Sequence, residues 1–128
     1  MEHIIVPDLR GFEDRWTFSH VVRHDGLLHL SGVTGTGEDG RVPADPGEQF
    51  EQVFHHLRLY LGSAGARLSD IIEMTTYHVG LREHLDAFMA VKNRHITRPY
   101  PAWSAIGVAE LITPGALVEV RVIAADPR

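Results

Sequence analysis

The segment Leu117–Ala124 alternates strictly in polarity, and a period of two leaves such a segment little choice but a strand covered on one face. Val118, Val120, Val122 and Ala124 fall on one side, and Leu117, Glu119, Arg121 and Ile123 fall on the other. The valine side predicts a core packed under helices. A second strand, from about Ala102 to Leu111, precedes it across a turn at Pro114-Gly115. In that strand the apolar Ile106 and Val108 are taken to join the core face, which puts Trp103, Ala105, Gly107 and Ala109 on the other. A face that small and apolar is suited to close approach of another subunit rather than to water alone.

The rest of the chain supplies the helices. Asp45-Pro46-Gly47-Glu48 combines an N-cap, a proline in the first turn and an acid at the third position, the arrangement of a capping box. Phe50, Val53, Phe54, Leu57, Tyr60, Leu61 and Ala64 then recur at helical spacing, and Gly62 and Gly65 mark the end. A strand is predicted over Ile71–Val79. A second helix follows over about Arg82–Ile96, with Leu85, Phe88 and Met89 inward and Pro99 as its stop. Near the N-terminus, Trp16–Arg23 and Leu27–Ser31 read as a hairpin turned at Asp25-Gly26. The order is ββαβαββ: an α+β domain spanning residues 1–128, a mixed sheet with two helices on one face.

Bulk properties narrow the function classes. A net charge of −5, from 12 Lys and Arg against 17 Asp and Glu, argues against nucleic acid as a partner, because phosphate binding needs clustered cations. The chain has a single lysine, Lys92. No apolar run is long enough for a membrane span, and no basic-then-apolar leader is visible at the N-terminus. There is no cysteine, so thiol nucleophiles and disulfides are excluded; this fits a cytoplasmic setting.

Nine histidines invite a metal reading, but His55 and His56 point about 100° apart on a helix, and no His-x-x-x-His pair with a nearby acid falls on a predicted helix, as the helical zinc motif requires. No metal and no cofactor is predicted. Gly32-Val-Thr-Gly-Thr-Gly37 lacks the spacing of a dinucleotide fingerprint and opens no helix, so it reads as a strand exit whose amides could face a ligand.

Several short stretches, in order, resemble the RidA family, also called YjgF/UK114. These are Leu30-Ser31-Gly32, Ala64-Gly-Ala-Arg-Leu-Ser-Asp70, Met74-Thr-Thr-Tyr77 and, most specifically, Pro101-Ala-Trp-Ser104 with Val108-Ala-Glu-Leu111 and Val118-Glu-Val120. The resemblance implies a chorismate-mutase-like homotrimer with small-molecule sites between subunits. Some members are described as ribonucleases, a role the acidic charge here disfavours. In deaminating members an arginine grips the substrate carboxylate from the position held here by Trp103. Backbone amides at positions like Gly32 and Ala105 assist it, a glutamate like Glu119 handles water or a proton, and an early-strand tyrosine lines the pocket. Here Phe18 stands in the tyrosine's place, His20 beside it offers a second acid–base group, and Arg98 is a candidate replacement for the arginine.

Glu119 is the predicted catalytic residue, since a carboxylate in an apolar cleft holds its proton towards neutrality. The alternative is that Glu119 and Arg121, two residues along the same face, form a structural ion pair across a subunit contact. Trp103 offers a π surface for a planar ligand or cation, or simply fills an interface. Three functions follow: an enzyme of hydrolase, deaminase or lyase type acting on a small planar or unsaturated metabolite; an ordinary deaminase of 2-imino or enamino acids; and a non-catalytic ligand-binding or protein-interaction trimer.

Overall fold

The computed structural model describes residues 1–9 and 11–128, at residues 12 and 13 for the backbone only. Six strands form one sheet in the order β1-β2-β3-β6-β4-β5. They are β1 (Glu2–Ile4), β2 (Val21–His24), β3 (Leu27–Leu30), β4 (Ile71–His78), β5 (Ala102–Gly107) and β6 (Val118–Ala125). All neighbours are antiparallel except β4 and β5, which run parallel. A parallel pair needs a long crossover, and the helix α3 (Leu81–His95) provides it. The other long helix, α2 (Pro46–Ser63), lies between β3 and β4 in the chain, and a short α1 (Phe12–Trp16) precedes β2.

The capping at Asp45 forms: its carboxylate accepts the Glu48 backbone N–H at 2.9 Å, with Pro46 opening the helix. Phe50, Val53, Phe54, Leu57 and Leu61 of α2 are fully buried against Val118, Val120, Val122 and Ala124 of β6 in one core. Phe88 of α3 meets Phe50 edge-on, with ring centroids 5.4 Å apart. The hairpin turn forms too, with positive φ at both Asp25 (51°) and Gly26 (77°), the twist that a two-residue connection requires.

Buried Gln49 ties the loops at one end of the sheet. Its Nε2 donates to the carbonyls of Pro43 and Gly115, each at 3.2 Å, and its Oε1 accepts the Leu117 N–H at 2.6 Å. Gly35 lies so close to the Gln49 backbone that any Cβ there would collide with it.

Four sequence expectations are corrected. The strand expected from Trp16 begins only at Val21, because Trp16 closes α1 and Thr17 turns the chain with φ 59°. A three-residue strand, β1, adds an outer edge to the sheet; it is too short to carry a visible alternation, and Arg23 ties it down by pairing with Glu2 at 3.1 Å. Strand β5 ends at Gly107 rather than Leu111. Its partner β4 ends at His78, whose carbonyl takes a last bond from the Val108 N–H at 2.8 Å.

The fourth correction concerns the faces of β5. In the parallel register Met74 stands beside Trp103, Thr76 beside Ala105 and His78 beside Gly107. Met74, Thr76 and His78 are buried on the helix side, so Trp103, Ala105 and Gly107 point to that side as well. Ile106 lies on the helix-free face, 42% exposed. The apolar character of Ile106 suggested the opposite, but cross-strand register sets the face, and an edge strand half outside the helix layer can leave an isoleucine uncovered.

Candidate functional site

Glu119 projects from β6 onto the sheet face that carries no helix. Beside it in register is Tyr77 of β4, and beside Tyr77 is Ile106 of β5. Directly opposed side chains on neighbouring strands start about 5 Å apart, so a carboxylate, a phenol ring and an isoleucine form one row. Glu119 is half-buried, and burial pushes its carboxyl above the usual carboxylate range. Its charge also contributes to Tyr60, whose hydroxyl is pushed up to about 12, chiefly by burial.

Gly32 supplies the wall behind the carboxylate. A Cβ built there would fall 2.6 Å from Oε2 of Glu119 and 2.8 Å from Cδ. The segment is held in place by a two-way backbone bridge between Val33 and Val120, at 2.9 Å in each direction. Arg121 shares the face of Glu119, beside Thr75. Among the described residues, no ion pair joins the two. Alternate residues of an extended strand are about 7 Å apart, and Arg121 turns to solvent.

Trp103 stands on the other side of the sheet. Its Nε1–H donates to Thr76 Oγ1 at 2.9 Å, and the Nζ of Lys92 sits 4.2 Å from its ring centroid. Lys92 is 5% exposed, and burial lowers its pKa. No carboxylate pairs with it among the described residues, so the indole face is the group that offsets the ammonium's lost hydration. The hydroxyl of Thr76 also meets His78 Nε2 at 2.7 Å. The His78 ring is buried edge-on to Phe88, its Nδ1 has no hydrogen-bond partner among the described residues, and burial lowers its pKa. Ala105 lies exposed on the open edge of β5, one register step beyond Trp103.

The remaining predicted residues separate. His20 is buried, its Nδ1 accepting the Val6 N–H at 2.8 Å and its ring lying between Phe18 and Tyr60 at centroid distances of 5.4 and 5.0 Å. Phe18 is half-buried beside it. Arg98 is exposed just before β5, with its guanidinium 5.1 Å from the Tyr100 ring centroid. It lines a cleft that reaches Ile71, at the opposite end of β4 from Tyr77. Six residues of strand span about 20 Å, so within one chain Arg98 does not reach Glu119.

Sequence reasoning did not single out Tyr77, Lys92, Thr76 or His78 as site residues. Tyr77 sat in a recognised motif without a role, and Lys92 was visible only as the sole lysine. Among the described residues, no group of three or more His, Asp or Glu is placed to hold a metal ion. Among the described residues, no helix is long and apolar enough to cross a membrane.

Comparison with known proteins places this geometry. The family model described as endoribonuclease L-PSP matches residues 12–126. The chain belongs to that family. Among curated members, the RutC family protein YjgH of Escherichia coli K12 is 36% identical over 86% of this chain and 83% of its own length. The solved structure of protein YJGH superposes with a TM-score of 0.91 at 31% identity, covering 99% of this chain and 97% of that one. RidA from Psychrobacter sp. PAMC 21119 superposes with a TM-score of 0.79 at 27% identity, over 85% of this chain and 88% of that one. A relative named 2-iminobutanoate/2-iminopropanoate deaminase, from Dermatophagoides farinae, is 26% identical over 83% of each chain. The RidA/YjgF relationship and the α+β sheet-and-helix fold read from the sequence are thus both established.

Proposed function

We propose that the protein is a homotrimeric enzyme acting on a small planar or unsaturated metabolite held between subunits, with Glu119 moving a proton or activating water. The observation that carries this reading is the state of Glu119: a half-buried carboxylate with no ion-pair partner among the described residues, pushed towards its protonated form and backed by a glycine that leaves it room. A carboxyl whose pKa is raised by burial holds and takes up a proton more readily than an ordinary carboxylate, which suits acid–base work. Tyr77 beside it adds a hydroxyl to the same wall.

Glu119 with Gly32, and Trp103 with Ala105, lie on opposite faces of the sheet, so one chain does not close a pocket around both. An assembly that lays the open β5 edge of one subunit over the Glu119 face of the next brings them together. The unpaired edge of β5 and the exposed Ile72 and Ile106, 46% and 42% accessible, favour such a contact. Sedimentation at micromolar concentration should give a trimer, and a stable monomer would remove the composite site.

A second reading, deamination of 2-imino or enamino acids, is favoured by the Lys92–Trp103 pair and by the deaminase-named relative. Where the family resemblance leads one to look for an arginine stands Trp103, and the ammonium of Lys92 rests on its indole. The deciding assay generates 2-iminopropanoate in situ and follows ammonia release. Turnover that falls sharply in Lys92→Met favours the deaminase. No turnover, with other unsaturated metabolites consumed, favours the first reading. Binding without any turnover would make the protein a ligand-binding trimer instead.

A further inference from the structure

A cleft of about 450 Å³ opens at the start of β4 and β5, between the C-terminal halves of α2 and α3. Arg58, Arg67 and Arg98 all line it, together with His95. Among the described residues, no carboxylate lines it, in a chain where acids outnumber Lys and Arg by 17 to 12. None of the three arginines makes an ion pair among the described residues. Three arginines around one concavity with no acid among its lining residues give it a positive lining.

Two of the three are also held in orientation. The Arg58 Nη1 donates to His95 Nδ1 at 2.9 Å, and His95 Nε2 lies 2.7 Å from Glu51 Oε2. Glu51 thus keeps the His95 proton on Nε2 and leaves Nδ1 to accept from Arg58. Glu51 is itself bonded to Arg94 and held below the usual carboxylate range by Arg94 and His95. Arg98 stacks over Tyr100. Both guanidinium groups keep further N–H groups for a ligand. The rest of the wall is mostly apolar, with Leu68, Ile96, Pro99 and Pro101, and adds the hydroxyl residues Ser69 and Thr97.

We propose that this cleft is a second ligand site, separate from the Glu119 face, and that it takes a small organic phosphate monoester. The dianionic phosphate meets the three guanidinium forks, and a compact apolar or planar body lies on the proline and isoleucine wall. Phosphate suits three converging forks better than a carboxylate does, because it offers three acceptor oxygens and up to two charges.

The test is calorimetric titration of the intact protein with phenyl phosphate at low salt, with benzoate and inorganic phosphate as comparison ligands. The expected result is saturable sub-millimolar binding of phenyl phosphate, clearly tighter than either comparison ligand. Arg58→Ala, Arg67→Ala and Arg98→Ala should each weaken it by about tenfold or more, the usual effect of losing a charged hydrogen bond. All three side chains are exposed, so folding should be unaffected, which circular dichroism verifies. Arg82→Ala, on α3 outside the cleft, should leave binding unchanged. Absence of saturation, equal binding of benzoate or inorganic phosphate, or an equal effect of Arg82→Ala would each overturn the proposal.

Discussion

The Oε2 of Glu119 lies where a side chain on residue 32 would begin, 2.6 Å from an ideal Cβ on Gly32. Gly32 lies just past the end of β3 and Glu119 lies within β6, yet the bare α-carbon of one shapes the volume available to the carboxylate of the other. Gly32→Ala should therefore fold, because the atoms that must yield belong to a flexible side chain, but the carboxylate has to swing away. Turnover should drop at least about tenfold with the melting temperature nearly unchanged, since even small displacements of a reacting group are costly. Equal rates in the two proteins would show that Glu119 does not act from this position.

Glu119→Gln keeps the shape and removes the ionisable group. If Glu119 is the acid–base residue, turnover should fall by about 10²-fold or more while the assembly survives. The same variant tests its environment. The folded-state pKa is raised, so the contribution of Glu119 to stability is fully present below the ordinary carboxylate pKa near 4.5 and is lost as pH rises through the folded value. Thermal unfolding of both proteins from pH 4 to 7.5 should show the glutamine variant gaining on the parent as pH rises. A gap independent of pH would contradict a buried, elevated carboxyl.

Lys92 carries the opposite linkage. Its folded pKa is lowered by burial, so the folded state is penalised while the ammonium stays protonated, and the penalty is relieved as pH rises towards the unfolded value near 10.5. Lys92→Met should be at least as stable as the parent at pH 7, and the difference should shrink under alkaline conditions. Marked destabilisation at pH 7 would mean that the contact with Trp103 outweighs the desolvation of the charge.

Trp103→Phe keeps a ring beneath Lys92 but removes the Nε1–H donor to Thr76. The expected cost is about 1 kcal/mol, one hydrogen bond, with His78 still bonded to the Thr76 hydroxyl. Chemical denaturation measures it. A loss above about 3 kcal/mol would indicate that the indole supports the edge strand more broadly.

Gln49→Leu removes three hydrogen bonds and leaves the Pro43 and Gly115 carbonyls and the Leu117 N–H without that partner. A loss of about 2–4 kcal/mol is expected. Denaturation midpoints should fall accordingly, and a change below about 1 kcal/mol would show that water replaces the amide readily.

Much of this was legible in the residues. Asp45-Pro46 announced the start of α2, Asp25-Gly26 the hairpin, and Val118, Val120 and Val122 the buried side of β6, because caps, turns and alternation are local consequences of backbone geometry. The family followed from the order of short motifs. Alternation also identified the residues of β5 that share a face: Trp103, Ala105 and Gly107. Which face that is depends on the pairing of Thr76 with Ala105, a contact between residues far apart in the chain. The same holds for the site. Glu119 could be chosen from its strand alone, but its neighbours Tyr77 and Gly32, the seat of Lys92 on Trp103 and the separation of Arg98 from Glu119 arise from strand register and helix packing. Those are cooperative, long-range choices that only the tertiary structure makes.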